Sequence, residues 1–163
     1  METLPDSNTN TIYSNYAGQD LLDVFTDTTS GNKWGTFYLY DSDGNRVMEA
    51  EPSAVNLPSS LSTIEAYNDL LHNTGGSYAL GTASFGYLNS SSGLIHIYDY
   101  ATSTTATTST AGNVQDYPED EKVQQGQSGS ATTLWATTDA TLSTGCQEAN
   151  ADTAATRAST AAP

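Results

Sequence analysis

The chain has 163 residues, of which 19 are Asp or Glu and four are Lys or Arg, giving a formal charge of -15 at pH 7. Binding phosphate backbones or anionic bilayers needs clustered cations, and Lys33, Arg46, Lys122 and Arg157 are scattered, which excludes nucleic acid and membrane surfaces as main partners. No apolar run approaches the ~20 residues that span a bilayer, Met1 to Asp6 lacks the basic-then-apolar pattern of an export signal, and the single Cys146 permits no internal disulfide.

Residues 1–30 read as an N-terminal arm. Leu21, Leu22, Val24 and Phe25 form one short apolar turn or strand, and Ser7 to Asn15 is polar with little reason to fold alone. Trp34 to Tyr40 is the clearest strand, with Phe37 and Leu39 on one face and Trp34, Thr36, Tyr38 and Tyr40 on the other. Asp41 to Arg46 follows as a hairpin turn in which Asp43-Gly44 supplies positive φ. Val47 to Val55 is the return strand, with Pro52 at an edge or bend.

The spacing of Leu61, Ile64, Tyr67, Leu70 and Leu71 predicts one short α-helix over about 61–73, started by a Ser62/Glu65 capping box and stopped by Gly75-Gly76. Tyr78 to Leu88 and Leu94 to Ala101 read as a second hairpin across Asn89 to Gly93, with Gly81 and Gly86 marking bulges or close backbone contacts. Ala101 to Gly112 is low-complexity Thr/Ala/Ser, either a strand extension or a loop. Glu119-Asp120-Glu121 reads as a solvated acidic run, Ala131 to Leu142 as the last strand, and Cys146 to Pro163 as a polar tail.

These elements predict a mainly β protein: a small antiparallel β-sandwich or barrel with one short helix and extended N- and C-terminal arms. The boundaries are 1–30 for the arm, 31–143 for a β-rich core with a Thr-rich loop at 101–130, and 144–163 for the tail. Low aliphatic content with high net charge is the signature of disorder, but the apolar residues concentrate between Trp34 and Tyr100, enough for one core. After Ala101 only Val114, Val123, Leu134 and Leu142 remain of the Leu, Ile, Val and Phe residues. That half has too little apolar area to offset a backbone entropy of roughly 1–2 kcal/mol per residue, and the expectation is that neighbouring subunits order it.

Few constellations carry chemistry. Asp41, Asp43 and Asn45 present oxygens at alternate positions, as a calcium ion would want, yet Gly44 stands fourth rather than sixth and no Glu stands twelfth. The competing reading is a turn whose Asp residues cap backbone amides. No other cofactor is expected. His72 suits a helix C-terminus and His96 a strand beside Tyr98; with Cys146 they lack zinc-ligand spacing. Gly-Gln-Ser-Gly-Ser at 126–130 is not a nucleophile elbow, no glycine loop cradles a phosphate, and paired-carboxylate hydrolysis has no positive support. Tyr and Trp on a β-surface can stack sugars or serve as core and subunit contacts. Asn89-Ser90-Ser91 is a glycosylation sequon that a Ser-rich chain produces readily by chance.

The acidic surplus reflects a shortage of Lys rather than an abundance of carboxylates. Uncompensated charges repel at low ionic strength and are screened near molar salt, which suits a protein of a salt-loving organism; an ordinary acidic extracellular protein is the alternative. In composition and layout across the whole chain, without a signature motif, the sequence resembles the small decoration, turret or tail-associated proteins of haloarchaeal tailed viruses. That resemblance implies a non-enzymatic structural protein of a virus particle, assembled in the host cytoplasm, whose partners are itself and other virion proteins. Two alternatives stand beside it: a cell-surface or secreted module such as a pilus, surface-layer or sugar-binding domain, and a small halophilic enzyme.

Overall fold

A strand buries one side when apolar residues recur at every second position, and four segments meet that condition. In the computed structural model, which describes residues 1–59, 69–71 and 85–137, they form β3 (Asp20–Thr26), β4 (Lys33–Tyr40), β5 (Arg46–Ala50) and β6 (Leu94–Tyr100). They are joined by β1 (Glu2–Thr3), β2 (Thr9–Ser14), β7 (Pro118–Gln125) and β8 (Thr132–Ala136). All eight lie in one antiparallel sheet whose spatial order is the chain order. The mainly β, antiparallel class is as expected; its form is an open meander, not closed edge to edge.

The register sets the two faces. Leu22 pairs with Phe37 and Phe37 with Ala50, and one strand further Ala50 pairs with Ile95. These residues, with Val24, Leu39, Met48 and Ile97, are buried on one face. The β5–β6 connection covers them, contributing buried Ala54, Val55, Leu57, Leu70, Phe85 and Leu88. The Phe37 and Phe85 rings meet at 5.3 Å, edge to face. Each such fully buried side chain contributes about 1.5–3 kcal/mol. A second sheet is therefore not what closes this core; among the described residues it is closed by turns.

Those turns are fastened to the sheet from its far end. Val55 bridges Leu88, and Asn56 N donates to Tyr87 O at 2.8 Å. The β7–β8 connection then grips the same region: Gln127 Oε1 accepts from Phe85 N at 2.9 Å, while Nε2 donates to Phe85 O and Leu88 O, both at 2.8 Å. Gly93 (φ +82°) lies so close to Ser53 O and the Ala54 backbone that a Cβ has no room there.

Several expectations are corrected. Residues 1–30 are not an arm: they hold β1, β2 and β3, with Leu22 and Val24 in the core. The polar stretch Ser7 to Asn15 folds because β2 borrows hydrogen bonds from β3 along its whole length. The return strand ends at Ala50, since Pro52 cannot donate to the ladder and a turn follows, with Ala54 N donating to Glu51 O. Phe85 to Leu88 is a turn, and Leu94 to Tyr100 pairs with β5 and β7 rather than with Phe85 to Leu88. The acidic run Glu119 to Glu121 lies inside β7, which ends the predicted 101–130 loop at residue 117; within it, Ala101 to Gly112 takes the loop alternative. Of the predicted helix, 69–71 is helical; its remainder, Gly75-Gly76, residues 78–84, the end of the last predicted strand and the 144–163 tail lie outside the described residues.

Candidate interaction face

The second face of the sheet carries the functional-looking side chains. Alternation opposite the core sets Phe25 beside Trp34 across β3 and β4, and Tyr38, Glu49 and His96 in one row across β4, β5 and β6. Tyr98, Glu121 and Trp135 form another row across β6, β7 and β8. Trp34 is 43% and Trp135 41% exposed, while Tyr38, His96 and Tyr98 are half-buried.

Ion pairs and hydrogen bonds tie these rings together. Arg46 Nη1 lies 2.9 Å from Glu49 Oε2, and its guanidinium stands 4.9 Å over the Tyr98 ring and 5.8 Å from that of Tyr38. Tyr98 Oη donates to Glu49 Oε2 at 3.3 Å. Burial pushes the Tyr98 hydroxyl up to about 12; the Arg46 charge opposes that rise, and Glu49 and Glu121 add to it. One strand on, His96 Nδ1 is 2.8 Å from Glu121 Oε1, and Trp135 Nε1 donates to Glu121 Oε2 at 2.7 Å. Hydrogen bonds from His96 and Trp135 hold the Glu121 carboxyl below its ordinary range. The acids and bases here hold one another, and the result is a stiff aromatic and ionic surface suited to contact.

On the core side, the row beyond Ile97 turns polar. Lys122 bridges Asp99 and Asp120, and these partners hold its ammonium above the ordinary lysine range. Gln124, 2% exposed, continues the apolar row of Ile95.

The calcium candidates Asp41, Asp43 and Asn45 share the β4–β5 turn. Asp41 Oδ1 accepts from Asp43 N at 3.0 Å and Asn45 N at 2.8 Å, and Oδ2 accepts from Asn45 Nδ2 at 3.2 Å. The β2–β3 turn repeats the arrangement with an uncharged residue, Asn15 Oδ1 accepting from Ala17 N and Gln19 N at 2.9 and 3.0 Å. Asn in the same role shows that the motif needs a side-chain oxygen for the turn, whatever the cation. Asp41 and Asp43 also rim an open cleft of about 650 Å³ with Asn15, Tyr16, Gln19 and Tyr40. Among the described residues no group of three or more His, Cys, Asp or Glu side chains is placed to hold a metal ion. His72 and Cys146 lie outside the described residues; His96 stacks on Tyr98 as its strand position implies, with ring centroids 6.5 Å apart.

Sequence reasoning missed Glu121, Glu49 and Arg46 as partners of this face. Arg46 and Glu49 gave no signal: in a regular strand residues three apart face opposite sides, and the register shift that leaves Val47 unpaired between β4 and β5 is what brings them together. Glu121 gave none, because its strand has no apolar alternation. No family model matches the chain, and neither does any curated protein or solved structure.

Proposed function

We propose that this protein is a non-enzymatic building block of a larger assembly, a virus particle from a host living in concentrated salt, where it serves as a decoration, turret or tail component. The observation that carries the reading is the open sheet: eight strands end in an outer strand, β8, whose five residues are all exposed. An exposed strand edge is a template for another chain, and strand addition draws its affinity from the backbone, which suits a Thr- and Ala-rich sequence. The charge of -15 sets the solvent. Repulsion of that size is long-ranged at 0.1 M salt, where the Debye length is about 10 Å, and is confined to about 3 Å at 1 M.

The test has three parts. The melting temperature should rise between 0.1 and 3 M KCl, and the protein should be found by mass spectrometry among the structural proteins of purified particles. Removing residues 144–163 should leave the sheet folded and abolish incorporation. A melting temperature insensitive to salt removes the halophilic part of the reading, and unchanged incorporation of the truncated chain removes the role of the tail.

A second reading, a cell-surface or secreted sugar-binding module, is favoured by the exposure of Trp34 and Trp135 on one face of the sheet, since indole rings stack on sugars. Binding of a glycan panel in 2 M KCl, lost in Trp34→Ala or Trp135→Ala, would favour it over the assembly role.

A further inference from the structure

The two ends of the meander are built differently. β1 is two residues long, contains Glu2, and is followed closely by Pro5 and Asp6. Short length, charge and proline are the devices that stop strand addition at an edge. β8, Thr132–Ala136, has no charged residue and no proline, and Leu134 and Trp135 are 53% and 41% exposed. Its register with β7 places Trp135 opposite Glu121 and Thr133 opposite Lys122, so Leu134 is the extra residue of a bulge. The bulge is the edge-blunting device that β8 does carry, and it bends the strand without adding charge to it. Among the described residues, nothing pairs with its outer side.

We infer that β8 pairs antiparallel with β8 of a second copy, about a two-fold axis at Leu134, giving a continuous sixteen-stranded sheet. This rests on the assembly role proposed above and names the partner. Charge selects the edge by which a second copy can add. Two copies each at -15 repel wherever their acidic surfaces face, and edge-to-edge addition places the bulk of the two molecules on opposite sides of the seam. The strands that meet, at a spacing of about 4.8 Å, are neutral on both sides, with Thr133 of one copy opposite Trp135 of the other and Thr132 opposite Ala136. The other outer strand, β1, would bring Glu2 to the seam. Closure follows from the same asymmetry: once β8 is used, only β1 edges face outward, so the contact is isologous and stops at two copies.

Sedimentation velocity on the full chain across 0.1–3 M KCl tests this. The wild-type protein should sediment as a dimer that tightens with salt. Leu134→Lys should weaken it by about tenfold or more, because like charges then face each other across the axis. That variant lowers the net negative charge by one and eases long-range repulsion, so weakening would report the seam itself. In a Cys146→Ser background, Leu134→Cys should form an intermolecular disulfide under mild oxidation; this readout decides the matter if the lysine variant misfolds. A dimer that survives Leu134→Lys and gives no disulfide overturns the β8 self-pairing, and the β8 edge on which the assembly role rests is then left to a different protein. A wild-type monomer at every salt concentration overturns the inference, and if a chain ending at residue 137 then dimerises, the protein's own residues 138–163 occupy the edge.

Discussion

Gln127 offers the sharpest test of how the core is closed. One amide makes three hydrogen bonds of 2.8–2.9 Å to the turn that carries Phe85 and Leu88, both buried. In Gln127→Ala the Phe85 N–H and the Phe85 and Leu88 carbonyls lose that partner. At a net contribution of about 0.5–1.5 kcal/mol per hydrogen bond, three sum to roughly 1.5–4.5. Gln127 is only half-buried, so water recovers part of this, and a loss of about 2 kcal/mol is expected. For a chain of this size that corresponds to a fall in melting temperature of about 4–8 °C. Gln127→Glu should do at least as much harm: its carboxylate can accept from Phe85 N but offers no donor to two carbonyls that it now repels. Urea unfolding and thermal melts in 2 M KCl measure both. A change within about 0.5 kcal/mol for the alanine variant, the ordinary range for a surface substitution, would refute the clamp.

Three further outcomes are expected. Gly93→Ala should cost about 3 kcal/mol or more, since its Cβ would strike Ser53 O and the Ala54 backbone and its φ is +82°; a soluble variant with a wild-type denaturation midpoint would contradict that close approach. Glu121, held below the ordinary carboxyl range by His96 and Trp135, contributes stability that is fully present above its unfolded-state value of about 4.3 and lost as pH falls through the lower folded value. Glu121→Gln should therefore flatten the acid limb of a stability–pH curve, and an unchanged limb would argue against the triad. Tyr98, pushed up to about 12, contributes stability present below its unfolded value of about 10 and lost as pH rises towards 12. In Tyr98→Phe the alkaline limb should be shallower and one high-pH phenolate step should vanish from the absorbance titration; retention of that step would place the raised hydroxyl elsewhere.

What could be read from the chain depended on whether a strand announces itself by its own side chains. β4 did, because Phe37 and Leu39 alternate with Trp34, Thr36 and Tyr38, and so did β6 around Ile95 and Ile97. The Asp43-Gly44 turn was legible for the same local reason. β7 was hidden: the residues it turns to the core side are Asp120, Lys122 and Gln124, and an ion pair with Asp99 replaces the apolar contact that periodicity detects. β2 was hidden because its pairing with β3 is made by the backbone. The candidate face was half visible. Its rings and His96 could be named from alternation, but the pairing of His96 and Trp135 through Glu121 depends on the register of three strands, which only the folded sheet supplies.

The order of the strands also bears on how the molecule is made. Each hydrogen-bonded neighbour in space is the neighbour in sequence, so most of the ladder can zip up through short loops, the condition for rapid folding. The exceptions are the step from β6 to β7, across the 101–117 loop, and above all the step from β5 to β6, where residues 51–93 intervene. Two hairpin arrays, β1–β5 and β6–β8, can thus form while the chain is still being synthesised or refolded, and the slow event is their seaming along Met48, Glu49 and Ala50 as the intervening stretch settles over Phe37. Inserting residues at the Asp41 turn should barely change the folding rate, whereas stiffening or lengthening the stretch between Ala50 and Leu94 should govern it.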